Sequence, residues 1–262
     1  MRHLIGSFLL TLIANAALAA SGVCPQWTYR NQAAWGESCT VQGYNHTSQS
    51  PININTTTQA KLQALQFSYN PFAMQVTNTG YGYQVNVPAN ANCTVTANGI
   101  TYTLTQFHFH FPAEHTISGV RWQGEVHFVH SNPKASPSLL VVGVLIDVGL
   151  DNGSDNSALQ PIIQLAGTAH TCPDTSPGSL QVNPMTLIPT FPGYYAYQGG
   201  LTTPLCNTSQ VAWRVMVGKI NASTSQISSL SLIQNNARDL QKSTTPQSWY
   251  PGFAPKAGKS RK

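Results

Sequence analysis

Residues 106–111 read Gln-Phe-His-Phe-His-Phe, and residues 125–130 read Glu-Val-His-Phe-Val-His. A helix would scatter this alternation around its circumference, whereas an extended strand, with a side-chain period of two, sorts it into faces. In the first segment Gln106, His108 and His110 share one face, and Phe107, Phe109 and Phe111 the other. In the second, Glu125, His127 and Val129 face one way, and Val126, Phe128 and His130 the opposite way. Laid antiparallel, the two strands bring His127 beside the pair His108 and His110. Five of the eight histidines of the 262-residue chain lie between residues 106 and 130.

Three convergent imidazoles have the chemistry of a zinc site. Zinc accepts neutral imidazole nitrogens, and three protein ligands leave a fourth position open for water. A ligating histidine needs its other N–H anchored. Glu125 suits His127, Gln106 suits His108, and a backbone carbonyl is expected behind His110. His115 follows the strand end and His130 points away from the cluster, so both are read as structural. The spacing by itself also fits other H-x-H…H metal folds, cupins among them.

The rest of the chain predicts more strands. Runs at 76–87, 94–111, 124–130, 138–149 and 211–220 alternate or are continuously apolar, and are broken by Gly, Pro and Asn. Asn98-Gly99 between β-rich flanks is a hairpin signal. Residues 138–149, apolar on both faces, read as a central buried strand. Helical periodicity is confined to 157–167 and 228–238. The expected fold is mostly β (α+β): a single domain on a large twisted, mainly antiparallel sheet with a few short peripheral helices.

Residues 1–20 combine a basic start, an apolar stretch and an A-x-A site, and read as a cleaved secretory signal peptide. Residues 21–250 form the expected domain, and 251–262 a basic, disordered tail. Net charge is +5, but Lys256, Lys259, Arg261 and Lys262 sit in that tail, so no nucleic-acid surface is expected. No later segment approaches membrane-spanning length. Sequons at Asn45, Asn55, Asn92, Asn152, Asn207 and Asn221 suit a secreted glycoprotein, or a periplasmic protein without sugars if the host is bacterial. Five cysteines in an exported chain imply disulfides with one thiol left over.

The segments QFHFHFPAEHTISG and EVHFVH resemble the signature of the α-class carbonic anhydrases. WGESC…GYNHTSQSPINI, VTNTGYGYQV, LLVVGVLIDVG, YYAYQGGLTTP, VAWRVM and NNARDLQ resemble further segments of that family in the same order, from about residue 25 to 241. The resemblance implies a secreted enzyme that hydrates carbon dioxide reversibly to bicarbonate and a proton, by attack of zinc-bound hydroxide. It implies zinc on His108, His110 and His127, with Gln106 and Glu125 as outer anchors. Thr202 would take the proton of the hydroxide while donating its own to Glu114. Val129, Val141, Leu201 and Trp213 would wall the carbon dioxide site, with Thr202 and Thr203 beside it. Sulfonamides and small anions would inhibit. Cys39 and Cys206 match the family's disulfide, whose closure is worth up to about 5 kcal/mol, leaving Cys24, Cys93 and Cys172 with at most one more bridge.

Two departures stand out. Tyr81 occupies the position where fast members carry a proton-shuttling histidine, and a phenol titrating near 10 exchanges protons poorly at neutral pH. A slower enzyme is therefore expected. Phe111 replaces a common tryptophan. The alternative implied by the same family is a non-catalytic binding or storage module, though such members have typically lost a zinc histidine.

Overall fold

The computed structural model describes residues 24, 27–36, 39, 48–55, 58–150, 153–176, 178–204, 206, 211–243 and 245–252. The expected signal peptide, the tail from 253 onward and the sequons at Asn45, Asn152 and Asn207 lie outside the described residues.

In chain order the strands are β1 (Asn53–Ile54), β2 (Gln66–Ser68), β3 (Phe72–Ala73), β4 (Gln75–Asn78), β5 (Tyr83–Asn86), β6 (Thr94–Ala97), β7 (Ile100–His110) and β8 (Thr116–Ile117). There follow β9 (Val120–Arg121), β10 (Gly124–Ser131), β11 (Leu139–Asp147), β12 (Asp174–Thr175), β13 (Gln181–Val182), β14 (Tyr194–Gly199), β15 (Val211–Asn221) and β16 (Ser248–Tyr250). Among the described residues two short α-helices, α1 (Gln160–Ala166) and α2 (Thr224–Leu230), lie between them.

One eleven-stranded sheet dominates, in the order β12-β4-β5-β7-β10-β11-β15-β14-β16, with β6 joining β7 to β2. Every pair in it is antiparallel except β11 with β15. The mostly β fold expected from the sequence is the one observed. Residues 138–149 supply β11 near the middle, buried on both faces as its unbroken apolar run requires. Asn98 (φ 50°) and Gly99 (φ 78°) make the tight β6–β7 turn, where two left-handed residues match the twist of the flanking strands.

The second helix differs from expectation. It spans Thr224–Leu230 rather than 228–238, because Ser223 and Gln226 form a reciprocal capping box that starts it earlier. Residues 235–241 are thereby left as a loop that reaches the histidine cluster.

The core lies on one face of the sheet. Phe107, Phe109 and Phe128 are completely buried there with Val126, Val142 and Val144. Each such side chain contributes about 1.5–3 kcal/mol of burial. His130, on the same face, is fully buried and fully partnered: Nδ1 stands 3.1 Å from the Leu140 carbonyl, and Nε2 2.6 Å from the Tyr69 hydroxyl. Its reading as a structural residue fits. Two disulfides, Cys24–Cys172 and Cys39–Cys206, tie the N-terminal segment to loops, and Cys93 remains a buried thiol.

Candidate metal centre

The opposite face carries the histidines. Strands β7 and β10 pair so that His127 lies directly opposite His108, and Glu125 opposite His110. The ring centroids of His108, His110 and His127 are 5.0, 5.4 and 4.6 Å apart pairwise. One nitrogen from each falls within 4.8 Å of the other two.

Each ring also has an outer contact. His108 Nδ1 is 2.8 Å from Gln106 Oε1, and His110 Nδ1 is 2.7 Å from the Asn236 carbonyl. His127 Nε2 lies 3.0 Å from Glu125 Oε1. The contacts of His108 and His110 use Nδ1 and leave Nε2, whereas His127 Nε2, though close to Glu125, makes no hydrogen bond and its Nδ1 lies 3.8 Å from Glu114 Oε2. His110 Nε2 is buried with no hydrogen-bond partner at all. A buried polar atom without a partner costs about 1–3 kcal/mol, so its persistence points to a ligand. Burial is the largest influence on all three rings and lowers each pKa, that of His110 to about 4. The rings are therefore neutral at pH 7, the state a metal needs. The donor set and the orphaned nitrogen fit zinc.

Glu125 anchors more than His127. Its Oε2 accepts the backbone N–H groups of Glu114 (3.0 Å) and His115 (2.9 Å), while Oε1 faces His115 Nδ1 at 2.8 Å. Burial would raise its pKa, but His115 and His127 together hold it well below the usual carboxylate range. Gly143 makes room for it, since a Cβ there would stand 2.6 Å from Glu125 Oε1. His115 is completed by Tyr197, whose hydroxyl lies 2.6 Å from Nε2 and 2.8 Å from Ser50 Oγ. Both nitrogens of His115 thus have partners, and the ring braces the carboxylate behind His127, which its place after a strand end did not reveal.

Glu114 is fully buried, and its Oε1 accepts the N–H of Arg238 at 2.8 Å. Burial pushes its pKa up to about 7, against the pull of His127, the Thr202 side chain and that N–H. Thr202 is buried beside it, and Trp213 Nε1 and Arg238 Nη1 fasten the preceding loop through the carbonyls of Gly200 (3.0 Å) and Leu201 (3.4 Å). Thr203, half-buried, accepts the N–H of Cys206 at 2.7 Å. Val129, Val141 and Trp213 are register neighbours across β10, β11 and β15, and Leu201 packs in the same apolar cluster. The expected wall residues are thus brought together next to the histidines. Tyr81 sits apart from them. Its ring stacks on Trp27 with centroids 3.7 Å apart, its hydroxyl donates to the Trp27 carbonyl, and Trp27 N–H donates back at 3.1 Å.

The family model for eukaryotic-type carbonic anhydrase matches residues 30–248. The chain belongs to that family. Carbonic anhydrase of Pectobacterium atrosepticum is 31% identical over 243 residues, spanning 89% of this chain and 94% of that protein. The match to horse carbonic anhydrase 3 is 27% identical but covers only 55% of the horse protein, about half its length. Among solved structures, the α-carbonic anhydrase of Photobacterium profundum aligns with a TM-score of 0.72 at 31% identity, over 86% of this chain and 97% of that one. The α-carbonic anhydrase of Thermovibrio ammonificans in complex with the inhibitor sulfanilamide aligns with a TM-score of 0.68 at 28% identity, over 78% and 86%.

Within this carbonic anhydrase fold, two contributors escaped the sequence reading. Asn236 accepts from His110 and Phe111 N–H (2.7 Å) and donates to the Tyr81 and Phe109 carbonyls at 3.0 and 2.9 Å. Arg238, buried, joins Glu114 to Gln49 and Ser50. Both lie in the segment assigned to a helix; only the resemblance of NNARDLQ to the family's ending hinted at them.

Proposed function

We propose that this protein is a zinc enzyme that hydrates carbon dioxide reversibly to bicarbonate and a proton. The observation that carries the reading is the buried, unpartnered Nε2 of His110, with one nitrogen of His108 and one of His127 within 4.8 Å. Zinc held by these three nitrogens supplies a nucleophilic oxygen at neutral pH by lowering the pKa of coordinated water to about 7, a value known from carbonic anhydrases generally and not deduced from this chain.

The protein's own groups do the rest. Gln106, Glu125 and the Asn236 carbonyl fix the tilt of the three rings, and Glu125 adds negative charge behind His127. Thr202, with its hydroxyl directed to Glu114, accepts a proton-bearing ligand and orients the attacking lone pair. It also selects ligands that can donate a hydrogen bond, which suits sulfonamides as inhibitors. Val129, Val141, Leu201 and Trp213 give carbon dioxide a nonpolar seat that water does not favour. Tyr81 is a poor proton carrier: burial pushes its pKa up to about 12, only partly offset by its bond to Trp27. Turnover is therefore slower than in histidine-shuttled relatives. The two disulfides, with the N-terminal segment read as a signal, support an exported protein.

The test is carbon dioxide hydration by the purified protein, before and after chelation and with an aromatic sulfonamide. Expected is activity that chelation removes, zinc restores and the sulfonamide blocks. Intact zinc binding without hydration would favour the alternative, a binding or storage module. In weak buffer, Tyr81→His is expected to raise turnover; a parent already as fast as histidine-shuttled relatives, with no gain from the substitution, overturns the slow-exit reading.

A further inference from the structure

Tyr81 leaves the route of the released proton open, and the sheet register suggests another. His127, His108, Gln84, Thr77 and Thr175 are successive direct partners across β10, β7, β5, β4 and β12. They form one row on the metal-site face, and every member is polar. The next row adds Gln106 opposite Asn86. The side chains are also linked: Gln84 Nε2 donates to Asn86 Oδ1 at 2.6 Å, Asn86 Nδ2 to Thr77 Oγ1 at 2.9 Å, and Thr77 and Thr175 hydroxyls meet at 2.9 Å. In the other direction the neighbouring row turns apolar at once, through Val129, Val141 and Trp213. The site thus has one dry wall and one wet wall, and the wet wall runs to the sheet edge.

At that edge stands His170. Among the described histidines it alone is exposed. Its backbone N–H donates to Asp174 Oδ2 at 3.1 Å, and Asp174 precedes Thr175 in β12. Asn78 brackets the same loop to the Tyr81 turn, donating to the Ala169 carbonyl at 3.0 Å and accepting from Gly80 N–H at 2.9 Å. The Cys24–Cys172 disulfide holds the loop two residues farther on. Three strand spacings separate His108 from β12, roughly 14 Å, a span that water molecules held by the row's amides and hydroxyls can bridge.

We infer that the proton leaves along the Gln84–Thr77–Thr175 row and that His170 is its terminal acceptor, an inference that rests on the carbon dioxide hydration reading above. One O–H bond breaks in the site's water, one N–H bond forms on the His170 ring, and the imidazolium passes the proton to a base in solution. A histidine ring can take up a proton on one nitrogen and hand it on, which fits it for this step.

The experiment is steady-state hydration by the zinc-loaded full chain in weak buffer, comparing the parent with His170→Ala and Thr175→Val. Proton release follows bicarbonate departure, so kcat should fall while kcat/KM stays constant. The expected loss for His170→Ala is about tenfold, less than the ~10²-fold of an irreplaceable proton carrier because buffer competes. Added imidazole buffer should restore it. Thr175→Val should lower kcat in the same way, without rescue of its kcat/KM because none is lost. An unchanged kcat in His170→Ala, or equal losses in kcat and kcat/KM, overturns the inference and leaves the hydration reading standing. A parent without hydration activity overturns both.

Discussion

His127 and His130 stand three residues apart in β10, both buried, one on each face of the sheet. On the back face, Tyr69 and the Leu140 carbonyl meet both nitrogens of His130. On the front face, His127 Nε2 lies 3.0 Å from Glu125 Oε1 yet is left without a hydrogen bond, and its Nδ1 stands 3.8 Å from Glu114 Oε2. Neighbouring His110 shows the same deficit outright. Burial keeps both rings neutral, so charge does not distinguish them. What distinguishes them is the unfilled bond: a satisfied histidine belongs to the fold, an unsatisfied one to a ligand.

The sharpest way to break the contrast is to delete each ring. His127→Ala should abolish stable zinc retention and hydration, a loss beyond the ~10–100-fold that an outer partner supplies, measured by metal content after dialysis. Glu125→Gln should retain zinc more weakly by about 10–100-fold, read by competition with a chelator. Gly143→Ala, by pressing on Glu125 Oε1, should weaken zinc in the same direction by about tenfold. His130→Ala should leave zinc affinity unchanged and cost about 3 kcal/mol of stability, from a cavity and an abandoned Tyr69 hydroxyl. A His130 variant with normal stability and lost zinc would invert the comparison.

The smallest effect is on pH. Burial holds the pKa of His130 at about 3, below the ~6.5 of the unfolded chain. The unfolded state therefore takes the proton first. The contribution of His130 is complete above pH ~6.5 and declines as pH falls toward 3, by about 1.4 kcal/mol per unit. Denaturant titrations of parent and His130→Ala from pH 6 to 4 should show their gap closing at about that slope; a constant gap means that the ring is not held neutral.

Much of this was legible in the sequence because a strand's period of two is rigid. Alternation alone sorted His108 and His110 from Phe107 and Phe109, and pairing supplied His127. The apolar run at 138–149 similarly announced the central strand. What stayed hidden depends on chain far away. Asn236 and Arg238 reach His110 and Glu114 across more than a hundred residues, and local helical periodicity around 228–238 concealed the loop that carries them. His115 looked incidental because its partners, Glu125 and Tyr197, come from two other strands. Gly143 gave no sign, since its value is an absent side chain opposite His127.

In the proposed site three histidine nitrogens hold one zinc and leave a position open. Zinc-edge X-ray absorption on the purified protein tests it directly. Expected is one zinc per chain with three imidazole nitrogens and one exchangeable oxygen at about 2.0–2.1 Å. Sulfur at about 2.3 Å, a closed set of four protein ligands, or no zinc in a chain with all three histidines intact would contradict it.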